Sequence, residues 1–339
     1  VLIAIGGTTF GLAEETIALY LILMPIFLIA GYDAIVCIAT IYMGSSIGSM
    51  FSTVNPFSSV IASNSAGINF TEGLSFRIIG LVIATIITLV YIIKYANKVK
   101  NDPSKSLIYD QKQEIEKRFL NESIKDVPKF TFRLKLMLII FALAFVVMVY
   151  GVSMKGWWFT EMTALFLIVG IILGFISDLN EKEFVNNFVA GAGDLVGVAL
   201  VIGVARSINL ILENGQISDT LLNYFSLLVN NMNGSIFIIL MLVIFIILGF
   251  FIPSYSGLAV LSIPIMAPLA DTVGLPRDVI VSAYQFGQGL ISFITPTGLI
   301  LATLAMVDVT YNKWLKFIMP LMIIVAVFAA ALLLVQVHF

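Results

Sequence analysis

This chain has almost none of the residues from which most catalytic and metal centres are built. Its single histidine is His338, the penultimate of 339 residues, and its single cysteine is Cys37, which lies in an apolar run. One cysteine excludes an internal disulfide and a cysteine metal cluster. A histidine triad or zinc site needs a ring held beside the nucleophile or metal, which a lone C-terminal imidazole does not supply. The sequence therefore predicts a protein that is not an enzyme and has no cofactor and no metal centre.

Charged residues are also scarce. They make up 11% of the chain, against 60% hydrophobic residues, and the mean hydropathy is +1.07. Such a composition is typical of a chain that lies in lipid. We therefore expect an integral membrane protein whose surroundings are a lipid bilayer, and we expect no nucleic-acid partner.

Runs of about 20 apolar residues predict spanning helices. They lie at 74–97, 134–152, 160–177, 235–252 and 316–338, with a glycine-rich candidate at 189–212. The stretch between them from Lys98 to Phe132 is hydrophilic, and 11 of the 18 Lys and Arg residues lie between Lys94 and Lys135. Because cytoplasmic loops carry the excess of basic residues, this loop is predicted to be cytoplasmic.

Glycine and proline interrupt two further apolar stretches in the same order. The first stretch runs from Gly6 to Gly67 and the second from Phe250 to Met306. Three residues of the first recur 243 positions later in the second, and a fourth has a counterpart three positions closer: Pro25, Gly31 and Gly44 recur as Pro268, Gly274 and Gly287, and Pro56 as Pro296. Paired, interrupted hydrophobic segments indicate a transporter binding site between two structural repeats.

Each repeat is predicted to contain a re-entrant hairpin followed by a broken helix. The hairpin tips lie at 7–11 and 253–257 and the breaks at 52–56 and 295–298. The arm before each tip is expected to be too short to cross about 30 Å of hydrocarbon. Non-helical backbone at that depth persists only where protein or water satisfies its polar groups. When the membrane orientation is followed along the chain from the cytoplasmic loop, the two repeats are predicted to be inverted relative to each other. The alternative for each break is that glycine and proline only kink an ordinary helix.

These elements divide the chain into four predicted parts. They are the first-repeat hairpin, broken helix and following helix at 1–97, a cytoplasmic hydrophilic loop at 98–133, scaffold helices with an interfacial arm at 134–252, and the second-repeat hairpin, broken helix and last helix at 253–339. The chain opens at Val1 without an initiator methionine, a basic leader or a cleavage site. We therefore expect further sequence upstream.

Five motifs give the chain a family resemblance. They are GTTFGLAEET at 7–16, STVNPF at 52–57, NDPSKS at 101–106, IPSYSG at 252–257 and YQFGQGLISFITPTG at 284–298. With these motifs the chain resembles the YfcC-type carriers, which are relatives of the DcuC C4-dicarboxylate carriers.

The resemblance implies the fold of the ion transporter superfamily. That is an all-α polytopic membrane protein with two inverted repeats, each holding a re-entrant hairpin and a broken transmembrane helix, usually as a homodimer in the bacterial cytoplasmic (inner) membrane. It also implies that the N-terminal helices of the family are absent from this chain. Sodium-coupled members hold Na⁺ and substrate at Ser-Asn-Thr tips, whereas the tips here are Thr-Thr and Ser-Tyr-Ser.

The charges near the breaks favour a cationic cargo. Across 1–68 and 250–305 the only basic residue is Arg277, whereas Glu14 and Glu15 follow the first tip inside the predicted membrane depth. An ionisable group at that depth is a candidate for function. One of these carboxylates is predicted to supply the counter-charge to a substrate ammonium or to carry a coupled proton; the alternative is that one caps the returning half-helix.

The predicted function is secondary active transport of amino acids, basic ones in particular, by antiport or with H⁺ or Na⁺ as coupling ion. The substrate-binding candidates are Thr8, Thr9, Ser254 and Ser256 at the tips and Asn55, Pro56, Thr295 and Thr297 at the breaks. The cation-binding candidates are Ser52, Thr53, Asn55 and Thr295. Alternatives are a C4-dicarboxylate carrier of the same fold, an intramembrane hydrolase, which the lack of histidine disfavours, and a channel.

Overall fold

The structure, a computed structural model, describes residues 1–120, 130–155, 157, 159–177, 179–217, 220, 223, 224, 227 and 232–338. Its regular elements are helices, with no strand among those residues, so the prediction of an all-α chain is confirmed. The chain divides into two compact units, one formed by Val1–Phe119 with Val198–Phe339 and the other by Leu120–Gly197.

Fourteen helices are numbered here along the described part of the chain. The first six are α1 Leu2–Phe10, α2 Ile17–Ile29, α3 Ala34–Met50, α4 Ile61–Ala66, α5 Leu74–Asn101 and α6 Lys112–Phe119. The remaining eight are α7 Phe132–Lys155, α8 Phe159–Ile176, α9 Glu181–Asn214, α10 Gly234–Phe251, α11 Tyr255–Thr272, α12 Asp278–Ser292, α13 Leu299–Met306 and α14 Tyr311–His338. The π turn Ala39–Met43 lies within α3, and the π turn Pro56–Val60 leads into α4.

Three of these helices, α5, α10 and α14, are long and apolar enough to cross a membrane. On α5, large side chains such as Ile78, Val82 and Ile86 are exposed, whereas the small residues Gly80 and Ala84 are buried. Small residues on the buried face let neighbouring helices approach closely, which is how helices associate in lipid. The chain is therefore built as an integral membrane protein, with large apolar side chains of α5 directed outward.

The same order of elements occurs twice in the larger unit. Five helices, α1 to α5, hold the first interrupted stretch and the helix after it, and five helices, α10 to α14, hold the second and the last helix. The recurring glycines Gly31 and Gly274 both have a positive φ, 85° and 72°, and both follow the returning helix. The hydrogen bonds Tyr32 N to Phe27 O and Leu275 N to Ala270 O, at 3.0 and 2.9 Å, close the same C-terminal turn in each copy. Glycine is favoured there because the turn needs the left-handed conformation.

Both predicted breaks are non-helical. Helix α3 ends at Met50 and the chain resumes a helical turn at Pro56, and helix α12 ends at Ser292 with α13 beginning at Leu299. We call 51–55 the first break and 293–298 the second break. Pro25 and Pro268, in contrast, lie inside α2 and α11 and do not end them.

Two expectations about the hairpins are wrong. Thr8 and Thr9 belong to the last turn of α1, and the chain leaves the helix only at Gly11, which takes a left-handed conformation with φ of 78°. The arm before the second tip is α10, an 18-residue helix that is long enough to cross a membrane. Its unbroken apolar run favours helix up to Phe251, so that arm is not short. We call 11–16 the first tip and 252–254 the second tip.

The hydrophilic segment after α5 contacts both repeats. Asp33, which caps the start of α3, accepts a hydrogen bond from Ser106 Oγ at 2.6 Å. Asp110 in the same segment accepts one from Lys313 Nζ, near the start of α14, at 2.8 Å. The beginning of the first broken helix and the turn that follows the second therefore lie at the same end of this unit.

In the smaller unit, α7 packs against α8, with the ring of Phe145 5.4 Å from that of Phe166. These helices form where the apolar runs 134–152 and 160–177 predict them. The glycine-rich candidate 189–212 lies within the longer helix α9. The segment Thr220–Met232, which the sequence predicts to be an interfacial arm or a short crossing, lies for the most part outside the described residues.

Candidate functional site

The first break is hydrogen bonded to the last turn of α1. Thr8 Oγ1 accepts a hydrogen bond from Thr53 N at 3.0 Å, lies 3.1 Å from Thr53 Oγ1 and donates to Phe51 O at 3.3 Å. Val54 N donates to Thr8 O at 3.3 Å. Thr8 is buried, so these bonds satisfy backbone groups that the interrupted helix leaves without partners.

Asn55 connects the same two segments with its side chain. Its Nδ2 donates to Gly7 O at 3.0 Å, and its Oδ1 accepts from Phe57 N at 2.8 Å, so the side chain also caps the turn that begins at Pro56. Asn55 is only 2% exposed. A buried amide that uses both of its ends in this way fixes the geometry of the break.

Close contact between α1 and α3 depends on glycine. A methyl group added at Gly7 would lie 2.5 Å from Ser45 O, and one added at Gly48 would collide with Ala4 O. The colliding atoms belong to the backbone, which cannot move aside without separating the two helices. These glycines therefore let the helix before the first tip lie directly against the first broken helix.

The second break contacts the end of α10 in a similar way. Thr297 Oγ1 donates to Phe250 O at 3.3 Å and lies 3.1 Å from Thr295 Oγ1. Thr295 is buried, whereas Thr297 is half-buried. Both predicted break residues therefore lie beside the arm that leads to the second tip.

The two tips are also held by side chains of the broken helices in their own repeats. Ser45 Oγ donates to Leu12 O at the first tip, and Gln288 Nε2 donates to Pro253 O at the second, the latter at 2.7 Å. Ser45 and Gln288 are separated by the same 243 residues as the recurring glycines. The two contacts therefore occupy equivalent positions in the repeat.

The two broken helices cross each other beside both breaks. Gln285 Nε2, on α12, donates to Ser52 Oγ at 3.0 Å and Ser58 Oγ at 3.2 Å, on either side of Asn55. Tyr42 OH, on α3, donates to Ser292 O at 2.6 Å, where α12 ends. Tyr42 and Gln285 are again 243 residues apart, so equivalent positions contact the first break in one case and the last residue before the second break in the other.

The acidic pair has two different environments. Glu15 Oε2 accepts a hydrogen bond from Ala13 N at 3.1 Å, which caps the turn that starts the returning arm. Glu14 is exposed at the first tip. Glu15 therefore has the capping geometry that was the alternative interpretation of this pair, and Glu14 is the more exposed residue of the two.

The predicted residues do not all meet at one place. Thr8, Thr53 and Asn55 lie together, Thr295 and Thr297 lie together, and Ser52 lies at the crossing. Within the described residues, three others make hydrogen bonds that are all local. Thr9 Oγ1 donates to Ile5 O at 2.6 Å, and Ser254 Oγ, at the cap of α11, accepts from Gly257 N at 3.2 Å and lies 3.3 Å from Ser256 Oγ. Pro56 is half-buried at the start of its turn.

Four residues of this region were missed by sequence reasoning, namely Tyr42, Ser45, Gln285 and Gln288. The constant spacing of 243 residues relates Tyr42 to Gln285 and Ser45 to Gln288, and that signal could have found them. Within the described residues, no group of three His, Cys, Asp or Glu side chains could hold a metal ion. The groups available to a ligand here are hydroxyls, amides, backbone carbonyls and the Glu14 carboxylate.

Comparison with known families gives one match over nearly the whole chain. The DcuC family, described as C4-dicarboxylate anaerobic carrier, matches residues 1–338. A protein of Haemophilus influenzae that has no assigned function is 51% identical over 338 residues, covering 99% of this chain and 66% of that protein. YfcC of Escherichia coli strain K12, provisionally named a basic amino acid antiporter, is 33% identical and covers 93% of this chain and 64% of YfcC. The chain spans about two thirds of the length of these relatives.

Two solved transporter structures have a similar fold. The YdaH transporter of Alcanivorax borkumensis superposes with a TM-score of 0.51 at 14% identity, covering 99% of this chain and 77% of YdaH. MtrF of Neisseria gonorrhoeae, described among antimetabolite efflux pumps, superposes with a TM-score of 0.52 at 17% identity, covering 99% of this chain and 74% of MtrF. The matched family and both structures are transporters, not enzymes.

Proposed function

The chain belongs to the DcuC family of transporters, and we propose that it carries amino acids, basic ones in particular, by alternating access. Exchange of one solute for another, or coupling to H⁺ or Na⁺, drives the transport. The provisional name of YfcC supports this choice of cargo.

The observation that carries the choice is the pairing of Arg277, the one basic residue in the two interrupted stretches 1–68 and 250–305. The Nε of Arg277 lies 3.1 Å from both carboxylate oxygens of Asp271, and its Nη1 donates to Ala66 O at 2.8 Å. Its charge is thus already paired, while Glu14 is exposed at the first tip. Charge-assisted hydrogen bonds are the strong ones, so this arrangement favours a cargo that brings its own positive charge.

Contacts at the two ends of the larger unit support inverted repeats with re-entrant hairpins. At one end, Arg277 before α12 contacts Ala66 at the end of α4. At the other end, the hydrophilic segment contacts Asp33 before α3 and Lys313 after the second break. The start of each broken helix thus lies near the end of the other, as expected when two repeats run through a membrane in opposite directions.

The hydrophilic segment carries the basic residues that indicate a cytoplasmic loop. We therefore assign the end with Asp33 and Lys313 to the cytoplasm and the end with Ala66 and Arg277 to the other side of a bacterial inner membrane. The proposed assembly is a homodimer, as in the superfamily that the sequence resembles.

A C4-dicarboxylate is the second candidate cargo, because the family description names it. In that case recognition would depend on hydroxyls and on the N-terminus of α11, where Ser254 caps the helix, and not on a basic side chain.

Counterflow in proteoliposomes separates these cargoes. Proteoliposomes that contain the protein are loaded with unlabelled arginine, ornithine or succinate. Uptake of the same labelled solute is then measured under imposed H⁺ and Na⁺ gradients. Saturable counterflow of arginine or ornithine supports the proposal, and counterflow of succinate alone supports the second candidate. Flux that neither saturates nor shows counterflow would contradict both and indicate a channel.

A further inference from the structure

We infer that the amide oxygen of Gln285 binds a positively charged group, a monovalent cation or a substrate ammonium, where the two broken helices cross. The inference rests on the proposed transport function and assigns a residue of that site which the sequence did not indicate. It concerns a place distinct from the Glu14 carboxylate at the first tip.

Gln285 is fully buried, and only the nitrogen of its side-chain amide makes hydrogen bonds in the described part of the chain. Its exposed fraction is 0%, and its Nε2 donates to Ser52 and Ser58 at 3.0 and 3.2 Å. Its Oε1 has no hydrogen-bond partner in the part of the chain that the structure describes. A buried acceptor without a donor is costly, so such a group calls for a specific occupant.

The side chains around this amide are neutral and carry oxygen atoms. Ser52 and Ser58 are also fully buried, and they bring two hydroxyl oxygens to the same amide. Neutral oxygen ligands beside unwound backbone suit Na⁺ in carriers, and they suit an ammonium group equally well. No cluster of three acidic side chains occurs in the described residues, which argues against a divalent ion.

The equivalent residue of the first repeat is Tyr42, 243 positions earlier in the chain. The hydroxyl of Tyr42 donates to Ser292 O, at the residue before the second break, at 2.6 Å. That crossing contact leaves no amide oxygen over, whereas the Gln285 contact does. If the contact at Gln285 served only to hold the two helices together, a single hydrogen bond such as that of Tyr42 would be sufficient.

Gln288, three residues further on, also has an Oε1 without a partner in the described chain. It lies against Gly249 of α10, within its own repeat, and donates to the backbone at Pro253. Among the described residues, its side chain makes no hydrogen bond to a hydroxyl of the first break. Gln285 is therefore the better candidate for a ligand at the crossing.

The test compares Gln285→Met and Gln285→Glu with Tyr42→Phe, the matched variant at the equivalent position. Counterflow is measured as a function of Na⁺, with choline as the replacement ion, and as a function of arginine. If the occupant is Na⁺, Gln285→Met raises the half-saturating Na⁺ concentration about tenfold and leaves the KM for arginine at saturating Na⁺ unchanged. If the occupant is the substrate ammonium, the same variant raises the KM for arginine about tenfold.

The two control variants distinguish ligation from packing. Gln285→Glu keeps an oxygen at this place, so it is expected to retain cation affinity and to make it dependent on pH. Tyr42→Phe is expected to lower the maximum rate without moving either half-saturation constant. Equal losses of rate in Gln285→Met and Tyr42→Phe, with both constants unchanged, would overturn the inference.

Loss of binding in Gln285→Glu together with normal binding in Gln285→Met would also overturn it, because the amide NH₂ would then bind an anion. A measurement without transport separates this inference from the proposed function: the stabilisation against heat by NaCl over choline chloride, and by arginine, in detergent-purified protein. Stabilisation of the wild type that Gln285→Met removes supports the inference even if no counterflow is seen. Absence of any such stabilisation in the wild type would contradict it.

Discussion

The two predicted repeats hold their breaks with different chemistry. In the first repeat, Thr8, Thr53 and Asn55 fix the arm against the break through side-chain hydrogen bonds. In the second repeat an 18-residue helix precedes the tip, and Thr297 and Gln288 supply the contacts. The recurring positions thus determine where the chain turns and crosses, while the residue types decide how firmly each tip is held.

The repeats also differ in charge. The first tip contains Glu14 and Glu15, whereas the second tip has the neutral Ser254 in front of its returning helix. The acidic side chains of the two tips therefore all belong to the first tip. In the proposed account the positive end of the cargo lies toward the first repeat.

The largest effect is expected at the glycines where the arms cross the broken helices. Gly44 and Gly287 are equivalent, but a methyl group at Gly287 would lie 2.6 Å from Phe245 Cβ and 3.0 Å from two backbone atoms of α10, whereas at Gly44 the nearest atom is Ile3 Cβ at 3.1 Å. Gly287→Ala should lower the free energy of unfolding by about 2 kcal/mol. Gly44→Ala should be nearly neutral, since alanine favours helix. Thermal unfolding in detergent measures the stability of both variants. Equal losses of stability in Gly287→Ala and Gly44→Ala would contradict this prediction.

The next effect concerns Asn55 and its counterpart Thr295. Asn55→Ala removes a buried donor to Gly7 O and the cap on Phe57 N, so the free energy of unfolding should fall by about 2 kcal/mol. Thr295→Ala removes one hydrogen bond to Thr297 and should cost about 1 kcal/mol. Denaturant unfolding of the two variants gives the ranking, and a larger loss for Thr295→Ala would show that the second break is the firmer one.

The third prediction separates the two acids of the first tip. Glu14→Gln should raise the KM for a basic amino acid about tenfold, which corresponds to about 1.4 kcal/mol, and leave that for succinate unchanged. Glu15→Gln should have little effect, since its amide oxygen can still accept from Ala13 N. Counterflow kinetics of both variants test this. A larger effect for Glu15→Gln would show that Glu15, and not Glu14, supplies the counter-charge.

The smallest effect is expected outside the membrane, where the hydrophilic segment meets the second repeat. The hydrogen bond from Lys313 lowers the pKa of Asp110 below its usual value. A depressed pKa contributes stability above the ordinary pKa of aspartate, and this contribution is lost as the pH falls through the lowered value. Asp110→Asn should therefore lower Tm slightly at neutral pH and not in strong acid. A Tm difference that persists in strong acid would contradict the assignment.

The sequence predicts those features that depend on local chemistry. Gly31 and Gly274 mark turns because few other residues adopt a left-handed conformation, and both breaks follow from Pro56 and Pro296 with their polar neighbours. The sequence does not predict which side chains meet across the repeats. Gln285 contacts Ser52 only because the helices cross there, and periodicity along one helix carries no information about its partner.

The first tip illustrates the same limit. Polar residues at 7–11 predict a turn, but packing against α3 keeps Thr8 and Thr9 helical, and the chain turns at Gly11 instead. Tertiary contact overrides local preference here.

The central claim is that the two repeats run in opposite directions through the membrane, and labelling of single cysteines tests it most directly. Cys37 is fully buried, so cysteines introduced at the exposed positions Thr71, Thr272, Ser104 and Asn312 can be read individually. A membrane-impermeant thiol reagent is applied to right-side-out and inside-out vesicles. The account predicts that Thr71→Cys and Thr272→Cys react from one face and Ser104→Cys and Asn312→Cys from the other. Reaction of Thr71→Cys and Asn312→Cys from the same face would contradict it.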